Sequence, residues 1–196
     1  MASVPQATPQ PRAIRRYNDV AVGIHWLTAA LIVTQVALGL TFRGSDPGLQ
    51  LFAWHKTLGV TILLLAAMRL AWRLTHKPPP YPTELPAWER WAGTATHYAF
   101  YVLLFALPLT GLAAVSDGAE GGVTRLIGGI PFPAIPGVTE AAGENFGELH
   151  ELLVWTTLLL LALHVAAALK HQFWDKYETS GRMPPFRPRT EPTVEG

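Results

Sequence analysis

Apolar residues along this chain are gathered into four blocks, each close to the ~20 residues that a membrane-spanning helix needs. The first, Val20 to Phe42, carries no formal charge, and only His25 interrupts it. The second, Leu49 to Trp72, is broken by Lys56 and Arg69, which stand near opposite ends of one helix, where long side chains snorkel to the interface. The third, Thr94 to Val115, is uncharged, with His97 near its start and Pro108 towards its end, where a proline kinks the helix or frees a carbonyl. The fourth runs from Leu149 to about Trp174, and between Leu152 and Leu169 its one ionisable residue is His164. The pattern predicts an all-α fold, a four-helix transmembrane bundle, with no internal repeat.

Composition agrees with the pattern. Apolar residues make up 49% of the 196-residue chain and charged residues 15%, against about a quarter charged in soluble domains. Residues 1–16 lack a signal peptide's order of basic start, apolar core and cleavage site, and read as a disordered, proline-rich leader. Residues 17–185 read as the membrane domain and 186–196 as a disordered tail, within a proline-rich stretch that begins at Met183. The segment IGGIPFPAIPG is too short and too rich in Gly and Pro to span, and is expected at the interface.

Charge then orients the bundle. Arg12, Arg15 and Arg16 precede the first span, Arg69, Arg73, Lys77 and Arg90 surround the second-to-third connection, and Lys170, Lys176 and Arg182 follow the fourth. The bias of Lys and Arg towards the cytoplasm places both termini of a multi-pass membrane protein inside. The third-to-fourth connection holds Arg125 alone against Asp117, Glu120, Glu140, Glu144 and Glu148, as expected of a translocated loop. A net charge of +1 without a dense basic stripe implies no nucleic-acid partner. With no cysteine, thiolate metal sites, iron–sulfur clusters and covalently attached c-type haem are excluded, so a metal must be held by histidine. The pattern leaves the oligomeric state open.

This topology assigns a height to each histidine. His25 and His97 lie near the inner ends of their spans, and His55 and His150 near the outer ends. His164 follows His150 by 14 residues, ~21 Å along the helix, which carries it close to the inner face; at ~100° per residue the two project from nearly the same face. The histidines therefore form two layers, and one helix supplies a nitrogen to each. A porphyrin iron takes two axial ligands, and neutral imidazoles supply them without introducing charge. Two haems stacked in a four-helix bundle explain the pattern. Zinc prefers four ligands close together and fits it poorly.

The chain resembles the bacterial cytochrome b561 family of di-haem membrane proteins in RYNDVAVGIHWL at the first span, WHKTLG at the second, THYAFYVLLFALPLTGL in the third, and LHELLVW and LHVAAALKHQFW in the fourth. The resemblance covers about residues 17–185 and implies a four-helix bundle enclosing two b-type haems. It assigns His55 and His150 to the outer iron and His25 and His164 to the inner one. His97 is the competing inner ligand, placed beside the macrocycle. His171 is seven residues beyond His164 on the same face; with Lys170 it lines a quinone pocket and passes protons, or else anchors the helix at the interface. Gly59, one turn after His55, leaves room for the ring.

The resemblance further implies electron transfer from superoxide outside to ubiquinone inside, as in superoxide oxidase. The resemblance also implies a bacterial inner membrane. Superoxide is an anion, and Arg43, Lys56 and Arg125 are the basic residues placed outside; they steer it or else are ordinary interface charges. A second reading is a haem-b anchor and electron conduit serving a periplasmic redox donor or partner dehydrogenase. A third is a structural or transport bundle without cofactor.

Overall fold

The computed structural model describes residues 16–42, 50–81, 85–175 and 182–183. Apart from Arg16, the leader read over 1–16 lies outside them, as do Arg43, Lys176 and the tail read over 186–196. Among the described residues are four α-helices long and apolar enough to cross a membrane: α1 (Asp19–Thr41), α2 (Leu51–Thr75), α3 (Ala87–Ala114) and α4 (Glu140–Phe173). Each of the four expected spans is found, and two begin several residues before their apolar blocks. In α3 the added turns are AWERWAG, and in α4 they are EAAGENFGE. A break in hydropathy marks where lipid ends, whereas hydrogen bonding continues the helix into water. At 34 residues, or ~51 Å, α4 is much longer than the ~30 Å hydrocarbon core is thick.

Local chemistry sets the ends. Asn18 caps α1 by accepting from the Ala21 amide at 2.8 Å, and Thr139 caps α4 by accepting from Ala142 at 3.3 Å. Acidic Asp19 and Glu140 open these helices and Lys170 and His171 close α4, each matching the helix dipole. Val33, Leu64, Val102 and Leu159 are exposed, which in a spanning bundle means facing lipid.

The helices pack in chain order, α1 on α2, α2 on α3 and α3 on α4. Their interior runs in sevens, the repeat of helices that cross at a shallow angle. His25, Ile32 and Gly39 follow one another at this interval on α1; His55, Ile62 and Arg69 on α2; His97, Leu104 and Gly111 on α3; and His150, Thr157 and His164 on α4. The middle rung is mostly apolar: Ile62, Ala66 and Leu104 are buried and pack with Leu31, Ile32 and Phe105, and Thr157 is buried beside them in the repeat. Thr157 turns its hydroxyl back to the Leu153 carbonyl, so no polar group is left open there.

The third-to-fourth connection does not span. Val123–Arg125 (β1) pairs antiparallel with Pro131–Pro133 (β2), Thr124 opposite Phe132, around a turn at Ile127–Gly129. Gly128 and Gly129 take φ of 69° and 75°, values that favour glycine. The hairpin is fastened to α2 twice: Lys56 Nζ donates to Thr124 Oγ1 at 3.0 Å, and the Ile127 amide donates to Thr57 Oγ1 at 3.0 Å.

Candidate functional site

The outer rung of the repeat sets two histidines opposite two glycines. The rings of His55 and His150 stand edge-on to one another, their planes 78° apart and their centres 6.2 Å apart. A Cβ on Gly39 would stand 3.3 Å from His55 Cε1, and one on Gly111 would stand 3.0 Å from His150 Cε1. The glycines thus let each ring lie against a neighbouring backbone. His150 Nδ1 donates to the Leu107 carbonyl at 2.9 Å, with Thr110 Oγ1 3.2 Å away. Because a carbonyl only accepts, the proton of a neutral His150 is on Nδ1, and Nε2 keeps a free lone pair. His55 Nδ1 is buried without a hydrogen-bond partner. Around this rung lies a cavity of ≈ 580 Å³, within the range of pockets for cofactor-sized ligands. Across it α2 faces α4.

The inner rung holds three imidazoles and a guanidinium. The rings of His97 and His164 have centres 5.7 Å apart, and Phe100 packs its edge on His164 at 5.5 Å. His25 interacts electrostatically with both other histidines and with Arg69. Arg69 donates to His25 Nδ1 at 3.3 Å and lies over the Tyr101 ring. The imidazole that stands near His164 at short range is that of His97.

These residues fit a metalloporphyrin. Two imidazoles bound on opposite sides of one metal at ~2 Å each put their ring centres about 6 Å apart. That is the separation at the outer rung and nearly that at the inner one, with the apolar rung between. The glycine cradle, the bare Nε2 of His150 and the unpartnered Nδ1 of His55 suit the outer rung to a flat, apolar macrocycle with an iron at its centre.

Other expected residues divide. Gly59 lines the outer cavity, but the neighbour its missing Cβ admits is Gln35, whose Nε2 would be 3.4 Å away and donates to the His55 carbonyl. Lys56 also lines it, its ammonium on Thr124 and 5.0 Å from the Phe52 ring centre. Arg125 does not. Alternation along β1 turns Thr124 inward and leaves Arg125 exposed, donating to the Gly129 carbonyl at 3.3 Å.

At the other end of α4, His171 Nδ1 bonds Asp175, and Lys170 Nζ reaches Glu89 Oε1 at 2.8 Å and Asp175 Oδ2 at 3.1 Å. Partial burial pushes the Asp175 carboxyl up; hydrogen bonds from Lys170 and His171, with their charges, outweigh it and hold the group below its ordinary value. Glu89, His171 and Asp175 bring ligand-type atoms within 4.8 Å of one another, but the Lys170 ammonium already bridges both carboxylates. Gly39, Gly111 and Gln35 had no role in the sequence reading, and Arg69 was read as a snorkelling interface charge. The sevenfold spacing from each histidine is the signal that marks Gly39, Gly111 and Arg69.

Comparison with known proteins agrees with this architecture. Cytochrome b561 homolog 2 of Escherichia coli (strain K12) is 33% identical over 179 residues, covering 86% of this chain and 90% of that protein. Cytochrome b561 homolog 1 of the same organism is 26% identical, covering 89% and 99%. A protein of Yersinia pestis named probable superoxide oxidase CybB is 26% identical, covering 87% and 97%. The family model of prokaryotic cytochrome b561 matches residues 16–185, a span that takes in all four helices and both histidine rungs. The chain therefore belongs to the prokaryotic cytochrome b561 family, and is a multi-pass bacterial membrane cytochrome of the b type.

Proposed function

We propose that this oxidoreductase binds two haems b, one at each rung, and moves electrons from superoxide on the periplasmic side of the inner membrane to ubiquinone on the cytoplasmic side. The observation that carries the proposal is the pair of neighbouring imidazoles at each of two heights, 6.2 and 5.7 Å between centres. Two superoxide anions each give up one electron and leave as dioxygen; one ubiquinone takes two electrons and two protons and leaves as ubiquinol. When bound, haem supplies an iron that changes charge by one electron.

The protein's own groups do the rest. His55 and His150 hold the outer iron, with His150 oriented by the Leu107 carbonyl. His164 holds the inner iron with His25, and His97 is the rival partner, favoured by its distance to His164. For His25 to bind through Nε2, Arg69 must leave Nδ1, because its guanidinium donates there and places the remaining proton of a neutral ring on Nε2. Lys56, at the wall of the outer cavity, attracts the anion; Arg43 and Arg125 add to the outer field. The apolar middle rung sets a low-dielectric layer between the two histidine pairs. On the inner side, His171, backed by Asp175 and next to Lys170, lines the quinone site and gives a proton to a quinone oxygen.

Haem counted per chain is expected at two, falling towards one in His150→Ala. His164→Ala with an unchanged count and spectrum overturns the ligand assignment. Of His25→Ala and His97→Ala, the one that loses the inner haem names the partner of His164. Rapid-mixing reduction by superoxide no faster than in a ligand variant removes superoxide as donor. The exposed acidic residues Asp117, Glu120, Glu140, Glu144 and Glu148 around the outer end favour a second reading, a conduit that docks a basic redox partner. In that case quinone reduction depends on the partner.

A further inference from the structure

A second cavity, of ≈ 510 Å³, opens at the end of the bundle where α1 begins and α2 ends. Arg16, Arg69, Arg73 and Lys77 line it, and among the described residues no carboxylate does. Four like charges around one hollow repel each other, and folding alone has no reason to collect them there. Arg16, Arg73 and Lys77 have no ion pair among the described residues. The Trp72 indole lines the same cavity, stacked on His76 with ring centres 3.8 Å apart, and its Nε1 is buried without an acceptor. A buried donor left unmade costs about 1–3 kcal/mol, so donor and cations together call for an anion with several acceptor oxygens.

Height decides its source. Arg16 and Lys77 are exposed beyond the helix ends, whereas Arg69 lies half-buried below them. The cavity therefore straddles the boundary between lipid and water, on the side that the Arg and Lys bias assigns to the cytoplasm. Phosphates of lipid headgroups lie at this level, and basic pockets between spanning helices suit headgroups that carry more than one of them.

We infer that this cavity is a binding site for a phosphate-bearing anion, the headgroup of an acidic phospholipid with two phosphodiesters. Arg73 and Lys77 grip one phosphate, Arg16 the other, and Trp72 Nε1 donates to a phosphate oxygen. His97 and Tyr101 line the same cavity, so the site adjoins the inner rung; it does not depend on the electron donor.

The test is a titration of the full-length, haem-loaded protein by native mass spectrometry, adding cardiolipin to phosphatidylcholine micelles. Arg73→Gln and Lys77→Gln are each expected to weaken cardiolipin binding about fivefold, from the ~1 kcal/mol attributed to each cation near an anionic headgroup. Trp72→Phe, which keeps the stack on His76 and removes the donor, is expected to weaken it by a smaller factor. Arg90→Gln, on the same side but outside the cavity, should leave it unchanged. Equal affinity in all four variants overturns the inference. Displacement of cardiolipin by millimolar inorganic phosphate overturns the lipid as the source. Loss of one haem from Arg73→Gln with lipid binding intact assigns the cations to the cofactor's carboxylates and also overturns it. Should Arg73→Gln fail to fold, the exposed Lys77→Gln carries the same test.

Discussion

Two glycines make room for two histidines at the outer rung, and the closeness is measurable in consequence. In Gly111→Ala the new Cβ would meet His150 Cε1 at 3.0 Å and Nδ1 at 3.2 Å. The ring must yield, and its bond to the Leu107 carbonyl goes with it. Overpacking of this kind costs about 1–3 kcal/mol, and the expected outcome is loss of the outer haem from a chain that still inserts, read from haem content and reduced-minus-oxidised spectra. At Gly39 the approach to His55 is 3.3 Å, so Gly39→Ala should be milder. The histidines themselves were legible in sequence, because an imidazole in an apolar run demands a reason. The glycines were not: glycine is common in membrane helices, and only the partner ring gives each its meaning. Arg69 was read as a snorkelling end residue, yet it turns inward to His25, a direction that hydropathy alone does not fix.

At the scale of the element, α4 carries the design, with His150, Thr157, His164 and His171 one heptad apart along a single face. Its last turn is closed by Lys170 and His171 against Glu89 of α3 and Asp175. Since the Asp175 carboxyl is held below its ordinary value, the folded chain gives up this proton more readily than the unfolded one. The contribution is complete above the ordinary carboxylate value of ~3.9 and is lost as pH falls through the lower folded value. Amide exchange in the last turn of α4 should accelerate over that range, and Asp175→Asn should flatten the dependence. The outer hairpin makes a parallel case. Thr57→Val removes the acceptor of the Ile127 amide, at a cost of about 1 kcal/mol. Exchange at Ile127 should rise while the haem spectrum stays as it was. The number and order of helices were legible because length and polarity decide what spans. Their extensions past the lipid, and a hairpin fastened by side chains 68 and 70 residues away, depend on contacts that no local pattern encodes.

Over the whole molecule, distant segments meet at the inner end. Arg182 is buried, with its guanidinium 4.6 Å from the Tyr81 ring centre and 5.5 Å from that of Tyr17. It donates to the Pro79 carbonyl, and its own carbonyl accepts from the Tyr17 amide. One arginine thus joins the approach to α1, the connection between α2 and α3, and the chain beyond α4. Arg182→Ala should lower stability by about 2–4 kcal/mol, from two lost cation–π contacts and a hydrogen bond, measured as a lower melting temperature. Arg182→Lys should recover little, because a lysine cannot lay a flat group between two rings.

The open ground between α2 and α4 has its own consequence. A bundle spanned there chiefly by imidazoles resembles an arch awaiting its keystone: whatever fills the gap from both sides adds its binding free energy to the folded state alone. The empty chain should then be the one that quality-control proteases find first. Its lifetime in the cell would follow the supply of iron porphyrin, so that starving the cell of that pigment thins out the protein before it alters the message that encodes it.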